Sequence, residues 1–222
     1  MMKRELVIMN NPKSSISEEI RTIKTNIQFM TTDESIKTLL ITSSIPSEGK
    51  SFISSNLACA FAQNNELVLL IDCDLRLGRL HKIFGLSNEK GLSNLIVGKD
   101  LNCKNYLQET KINNLYVLSR GTLVPNPSEL LNSEKMRNLV DFLKENFDRI
   151  IFDGVPINGL PDSLIMSKLV DRVIMVTSCN FTKIDELTKA KKSLEKVGAN
   201  IAGIVVNRTT EPKKNKYNSY YE

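Results

Sequence analysis

The 222-residue sequence has one histidine, His81, and four scattered cysteines, Cys59, Cys73, Cys103 and Cys179, with no CxxC or other metal-like pairing among them. A lone imidazole excludes a His-based metal site, and the scattered thiols offer no zinc-type spacing. Thiols placed this way read as buried and reduced, the usual state in a cytosolic protein. No apolar run approaches the ~20 residues that a membrane-spanning helix requires. The N-terminus has no apolar segment of the signal-peptide kind, so any membrane contact is expected to be indirect or electrostatic. No internal repeat and no Gly-, Pro- or Ser-rich linker divides the chain. Charge of one sign is also scarce: 30 Lys and Arg against 25 Asp and Glu leave +5. That surplus suits an anionic ligand or a membrane surface and is too small to require nucleic acid; no nucleic-acid partner is expected.

With 41% hydrophobic residues, the chain is long enough for one substantial core. Short apolar runs alternate with longer helical patterns. The runs are Thr38–Thr42, Leu67–Ile71, Leu115–Leu118, Arg149–Phe152, Arg172–Thr177 and Ile201–Val206. Most are continuous and not alternating, as in strands buried on both faces of a parallel sheet. Helices are expected near Ser51–Asn64, Ser128–Asn146, Asp162–Lys168 and Lys183–Val197. Alternation of this kind predicts an α/β fold, a three-layer domain with a mostly parallel central sheet flanked by helices.

The stretch TLLITSSIPSEGKSFISSNLA runs from a buried strand through a small-residue loop into a helix. Gly49, Lys50 and Ser51 supply the GKS of a Walker A sequence, although GxxxxGK[ST] expects glycine where Ser44 stands. Such a loop turns successive N–H groups inward as an anion nest, and the following helix adds its positive end. Lys50 would reach the β and γ phosphates and the Ser51 hydroxyl would ligate Mg²⁺. Gly49 admits the phosphates where a Cβ would obstruct them. Two further apolar strands end in acids: LLIDCDLR in Asp72 and Asp74, with Arg76 beyond, and RIIFDGVP in Asp153. Ligands of open parallel sheets sit at the carboxyl ends of the strands. Carboxylates beside a triphosphate need Mg²⁺ between them. A single strand-end Asp is often a helix cap; two strands ending this way behind a GKS loop are hard to explain as caps.

At the N-terminus, Ser15 and Glu18 have capping-box spacing, and Ile16, Ile20, Ile23, Ile27 and Met30 form one apolar helical stripe. Glu18, Arg21 and Lys24 lie at three-residue spacing on a more polar face, which is either solvated or a subunit contact. The other end reads NRTTEPKKNKYNSYYE and carries three of the five tyrosines, Tyr217, Tyr220 and Tyr221. Nothing in that segment could bury a core face, so mobility is expected.

Taken together, these residues resemble the bacterial tyrosine kinases of polysaccharide synthesis, within the deviant-Walker MinD/ParA-like P-loop ATPases. IPSEGKS looks like that family's Walker A, with Ser47 where glycine is usual, LLIDCDLR like Walker A′ and IIFDGVP like Walker B; NPSELL at 126–131 looks like a family segment. Glu18, Arg21 and Lys24 resemble its ExxRxxR oligomerisation motif, with lysine in the last place. The resemblance implies ATP-dependent phosphorylation of tail tyrosines 217, 220 and 221 between subunits of a homo-oligomeric ring. It implies ATP and Mg²⁺ as cofactors, with the nucleotide held by Pro46, Ser47, Glu48, Gly49, Lys50, Ser51 and Phe52 and bordered by Asn207 and Arg208. Lys50 would stabilise the transferring group. Ser51, Asp74 and Asp153 would hold the metal. Asp72 and Asp74 would share metal support and activation of the tyrosine hydroxyl, with Asp72 favoured as base. Residues 1–208 are expected to form a single P-loop kinase domain, including the oligomerisation helix at about 15–30, and 209–222 a flexible tyrosine-bearing tail. The chain is expected to be cytoplasmic and recruited to the membrane by a separate transmembrane adaptor of polysaccharide chain length. A tyrosine phosphatase and a role in capsule or exopolysaccharide synthesis and export are implied too. The alternative is a MinD- or ParA-type switch that transfers phosphate only to water, although such switches commonly carry a second lysine early in the loop, and none precedes Lys50 in SSIPSEGK. A non-catalytic adaptor is a third reading, opposed by the intact Lys50, Ser51, Asp72, Asp74 and Asp153.

Overall fold

In the computed structural model, which describes residues 5–30, 36–98 and 103–209, each apolar run becomes a strand. In chain order these are β1 (Thr38–Ser43), β2 (Val68–Asp72), β4 (Leu115–Leu118), β5 (Arg149–Pro156), β6 (Arg172–Ser178) and β7 (Ile201–Asn207). A two-residue strand, β3 (Gln108–Glu109), joins them. The sheet order is β3-β4-β2-β5-β1-β6-β7, parallel throughout except for the β3–β4 pair. Every residue of β1 and β2 is buried, as continuous apolar runs require of strands covered on both faces.

The two faces carry separate cores. Leu39, Ile41, Val68 and Leu70 point to one, Leu40, Leu69 and Ile71 to the other. The first face is covered by α1 (Val7–Asn10), α2 (Ser15–Phe29), α3 (Lys50–Ala62) and α4 (Leu80–Phe84), through residues such as Ile20, Ile27, Leu57, Phe61 and Ile83. The second is covered by α5 (Leu92–Val97), α6 (Pro127–Leu131), α7 (Glu134–Asn146), α8 (Asp162–Met166) and α9 (Ile184–Lys196), through Leu95, Leu131, Leu139, Met166 and Leu194. The three-layer expectation therefore holds. Helix α3 lies deepest, with all ten residues from Ile53 to Ala62 buried.

Several boundaries differ from the sequence reading. The helix expected over Ser128–Asn146 is two helices. Ser133 interrupts it because its hydroxyl accepts the Met136 N–H at 3.2 Å and so starts α7 afresh. The cap of α2 is Ser14, not Ser15: Ser14 Oγ accepts the Ser17 N–H at 3.2 Å. The α2 stripe buries only its middle, Ile20 and Ile27, while Ile16 and Met30 at its ends are exposed. Strand β5 continues past Phe152 to Pro156, which places Asp153 inside the strand.

Removing the Ser133 hydroxyl leaves an N-terminal donor of α7 without its partner. Ser133→Ala should lower stability by about 1 kcal/mol, read as a lower urea midpoint at unchanged slope.

Candidate active site

The loop joining β1 to α3 turns through two left-handed residues, Ser47 at φ 66° and Gly49 at φ 100°. Gly49 is constrained twice, since a Cβ there would lie 2.1 Å from Asn207 Nδ2. The end of β7 grips the loop: Asn207 Nδ2 donates to the Glu48 carbonyl at 2.9 Å and Arg208 Nη2 to the Ser47 carbonyl at 2.9 Å. Helices α2 and α7 begin with a serine cap, but no side chain caps α3. Its first N–H groups and positive end are left for an anion at the loop.

A cavity of about 720 Å³ opens at this loop. Pro46, Ser47, Gly49, Lys50, Ser51, Phe52, Asp74, Asn207 and Arg208 line it, bringing together most of the residues expected from sequence. Arg76, Leu77, Gly78 and Arg79 form a further part of the wall. Glu48 departs from expectation. Its side chain is fully buried, and its carboxylate accepts the Ile45 N–H at 2.7 Å, the Ser44 hydroxyl at 3.0 Å and the Thr182 hydroxyl. Glu48 thus ties the loop to the end of β1 and to the β6–α9 connection, and does not line the cavity. This also accounts for serine at position 44, whose hydroxyl serves Glu48.

The acids of β2 and β5 are register partners, Asp72 beside Asp153. Both are buried, at 0% and 2% exposure. Asp72 does not line the cavity either. Its Oδ2 accepts the Leu80 N–H at 3.0 Å and its Oδ1 the Asp74 N–H at 3.3 Å, so it folds the loop after β2 around itself. A Cβ on Gly78 would come within 2.3 Å of that carboxylate, which requires glycine there. Asp74 is the acid of this loop that reaches the cavity.

Burial pushes Asp153 up to about 6, against the Ser51 hydroxyl, the Lys50 ammonium and the Ser54 hydroxyl, which favour its ionised form. Burial and the neighbouring Asp153 raise Asp72 well above the carboxylate range. Lys50 is shifted down by burial, with Asp153, Asp74 and Glu48 opposing the shift. Asp153 Oδ1 is buried without a hydrogen-bond partner. An orphaned carboxylate oxygen beside Ser51 and within the field of Asp74 fits a hard divalent cation that prefers oxygen ligands.

Glu18 and Arg21 lie on α2 away from the cavity, where Arg21 Nη1 meets Glu18 Oε1 at 2.6 Å; Lys24 is on the same helix. Tyr217, Tyr220 and Tyr221 fall outside the described residues. The reading of isolated motifs missed Thr182, Ser128 and Asp162, because each acts through a partner 34 or more residues away.

Sheet order, the GKS loop and the buried acids of β2 and β5 define a P-loop domain of the MinD-like fold. A family model described as an AAA domain matches residues 36–204. The putative tyrosine-protein kinase CapB of Staphylococcus aureus is 38% identical over 216 residues, 97% of this chain and 94% of the relative. The crystal structure of a chimeric protein, CapA2B2, superposes with a TM-score of 0.90 at 37% identity, covering 94% of this chain and 92% of that one. The septum site-determining protein MinD of Pyrococcus horikoshii, at 22% identity and a TM-score of 0.67 over 80% of this chain and 72% of its own, shares the fold alone. The chain belongs to the bacterial tyrosine-protein kinase family.

Asp153 tests the electrostatic account. With its native pKa raised to about 6, the folded form binds the proton more readily than the unfolded one, ordinarily near ~3.9. Its contribution is therefore fully present below about pH 4 and is lost as pH rises through about 6. At pH 7.5, Asp153→Asn should melt higher than the parent, by about 1–3 kcal/mol. That advantage should vanish near pH 4, and affinity for Mg·ADP should fall; calorimetry reads both.

Proposed function

We propose that this chain transfers the terminal phosphoryl group of ATP to tyrosine, chiefly to Tyr217, Tyr220 and Tyr221 of a neighbouring copy. The observation that carries the proposal is the convergence on one cavity rim of Lys50, Ser51 and Asp74, with Asp153 buried behind them, in a chain similar along its length to a tyrosine-protein kinase. The loop N–H groups and the start of α3 bind the phosphates. Lys50 places its ammonium at the terminal phosphoryl group. Ser51 and Asp153 would hold Mg²⁺, which when bound neutralises phosphate charge and orients the triphosphate.

The base is assigned to Asp74. Asp72, favoured from sequence, is fully buried with both oxygens accepting backbone N–H groups. Asp74 opens to the cavity, with its Oδ1 fixed by the Leu77 N–H at 2.8 Å. It is the carboxylate placed to take the tyrosine proton. Asp72 sets the loop that carries it. Asn207 and Arg208 border the adenine, and Arg208 lies over the Phe181 ring at 5.8 Å from its centroid.

Residues 1–208 would act as the kinase domain and 209–222 as its tyrosine-bearing tail. We assign the Glu18–Arg21–Lys24 face of α2, exposed at Glu18 and half-buried at Arg21 and Lys24, to the contact between copies in a ring. No helix among the described residues is long and apolar enough to cross a membrane. Recruitment to the membrane is assigned to a separate transmembrane adaptor of polysaccharide synthesis, a reading supported by the similarity to the CapA2B2 chimera. A tyrosine phosphatase would reset the tail. Each phosphate adds about −1.5 to −2 charges, and several on abutting tails would loosen the ring by repulsion.

Incubation of the full chain with Mg·ATP followed by phosphopeptide mapping should find phosphotyrosine at 217, 220 and 221. Lys50→Met should reduce it by about a hundredfold or more with an unchanged melting profile. ATP hydrolysis without phosphotyrosine would instead make the protein a switch. Glu18→Ala with Arg21→Ala should reduce the mass measured by light scattering; an unchanged mass would make that face solvated.

A further inference from the structure

Strand order sets direction along the catalytic rim. It runs β2, β5, β1, β6, β7, so the Lys50 loop after β1 lies between the β2 loop on one side and Asn207 and Arg208 on the other. Neighbouring strands are about 4.8 Å apart, so the β2 loop begins roughly 10 Å from the phosphate loop. A nucleotide with its base toward Arg208 and its phosphates at Lys50 directs its terminal group toward β5 and β2. The acceptor therefore arrives over the β2 loop.

The cavity wall there carries Arg76. Its backbone and side chain are both fixed. The Arg76 N–H donates to Asp74 Oδ1 at 3.2 Å, and Arg120 Nη1 reaches the Leu75 and Arg76 carbonyls at 3.4 Å each. The guanidinium has Nη1 3.2 Å from Asp162 Oδ2 and Nη2 donating to Ser128 Oγ at 3.4 Å, while Ser128 Oγ donates to Asp162 Oδ1 at 2.5 Å. Asp162 is 1% exposed, whereas the Arg76 side chain keeps 33% of its surface. The anchor is buried and takes Arg76 Nη1 in with it, while the rest of the Arg76 side chain lines the cavity. A buried carboxylate is costly unless it is well paired, so packing alone does not favour one here. It is the arrangement needed to hold a guanidinium still where negative charge develops.

We propose that Arg76 is a further catalytic residue, contacting the terminal phosphoryl oxygens during transfer, and that Asp162 with Ser128 positions it. The proposal rests on the tyrosine-kinase reading above. In the step, the tyrosine oxygen forms the new P–O bond as the bond to the bridging oxygen of ADP breaks. The tyrosine proton passes to Asp74, and Arg76 forms no covalent bond. Fixed donors of this kind are worth about 10²–10³ in rate.

Binding of ADP with aluminium fluoride, a mimic of the group in flight, separates this role from a structural one. With Mg²⁺ and the full chain, Arg76→Ala and Asp162→Asn should bind the mimic at least tenfold more weakly, while Mg·ADP affinity stays within twofold. Tail phosphorylation should fall at least thirtyfold in kcat with KM for ATP within twofold, and added guanidinium should partly restore Arg76→Ala. Should Asp162→Asn not fold, Ser128→Ala and Arg76→Lys serve, with smaller losses in the same direction. Parent-like mimic binding in these variants, or equal loss of Mg·ADP, would overturn the proposal. A parent protein that binds the mimic through Arg76 yet never labels tyrosine would overturn the kinase reading alone.

Discussion

The rest of the site depends on a charge imbalance held inside the sheet. Asp72 and Asp153 sit side by side on β2 and β5, both buried, and Asp74 follows within two residues. Burial raises both, and the charge of Asp153 adds to the rise of Asp72. Lys50 lies in their field and is itself shifted down by its own burial. Burying these charges together is costly, and a divalent cation beside them would offset that cost. A cluster of this kind gives up stability, as functional sites often do.

The phosphate loop is made rigid from beneath and from one side. Glu48 joins it to Ser44, Ile45 and Thr182, and Asn207 and Arg208 hold its carbonyls. The loop can therefore keep Ser47 in a left-handed conformation that a non-glycine residue rarely adopts. Across the rim, the β2 loop is organised around Asp72 and braced by Arg120 and Asp162. Two stiff loops with the tip of β5 between them suit a reaction whose catalysis is mostly positioning and electrostatics.

Much of this was legible in the residue order. Continuous apolar runs identified six strands, and the GKS loop with two acid-tipped runs located the rim. The runs are legible because burial on both faces demands unbroken hydrophobicity. The short elements were not: β3 has two residues and α4 five, too few to show a period. The residue order does not distinguish Ser133 from a helix-interior serine, because its capping role depends on which way its hydroxyl turns.

By itself, the sequence determined the layered α/β fold, the anion loop and the set of acids, since local pattern and strand-end position encode all three. Only the tertiary structure decided which acid faces the cavity and which turns inward. It separated Asp74 from Asp72, and made the Glu48 side chain a strut of the loop. Only the structure joined Arg76 to Asp162 and Ser128, across 86 and 52 positions of chain. The reason is physical: apolar periodicity is a property of neighbours in sequence, whereas the pairing of a buried polar group is settled by whatever the fold brings within about 3 Å.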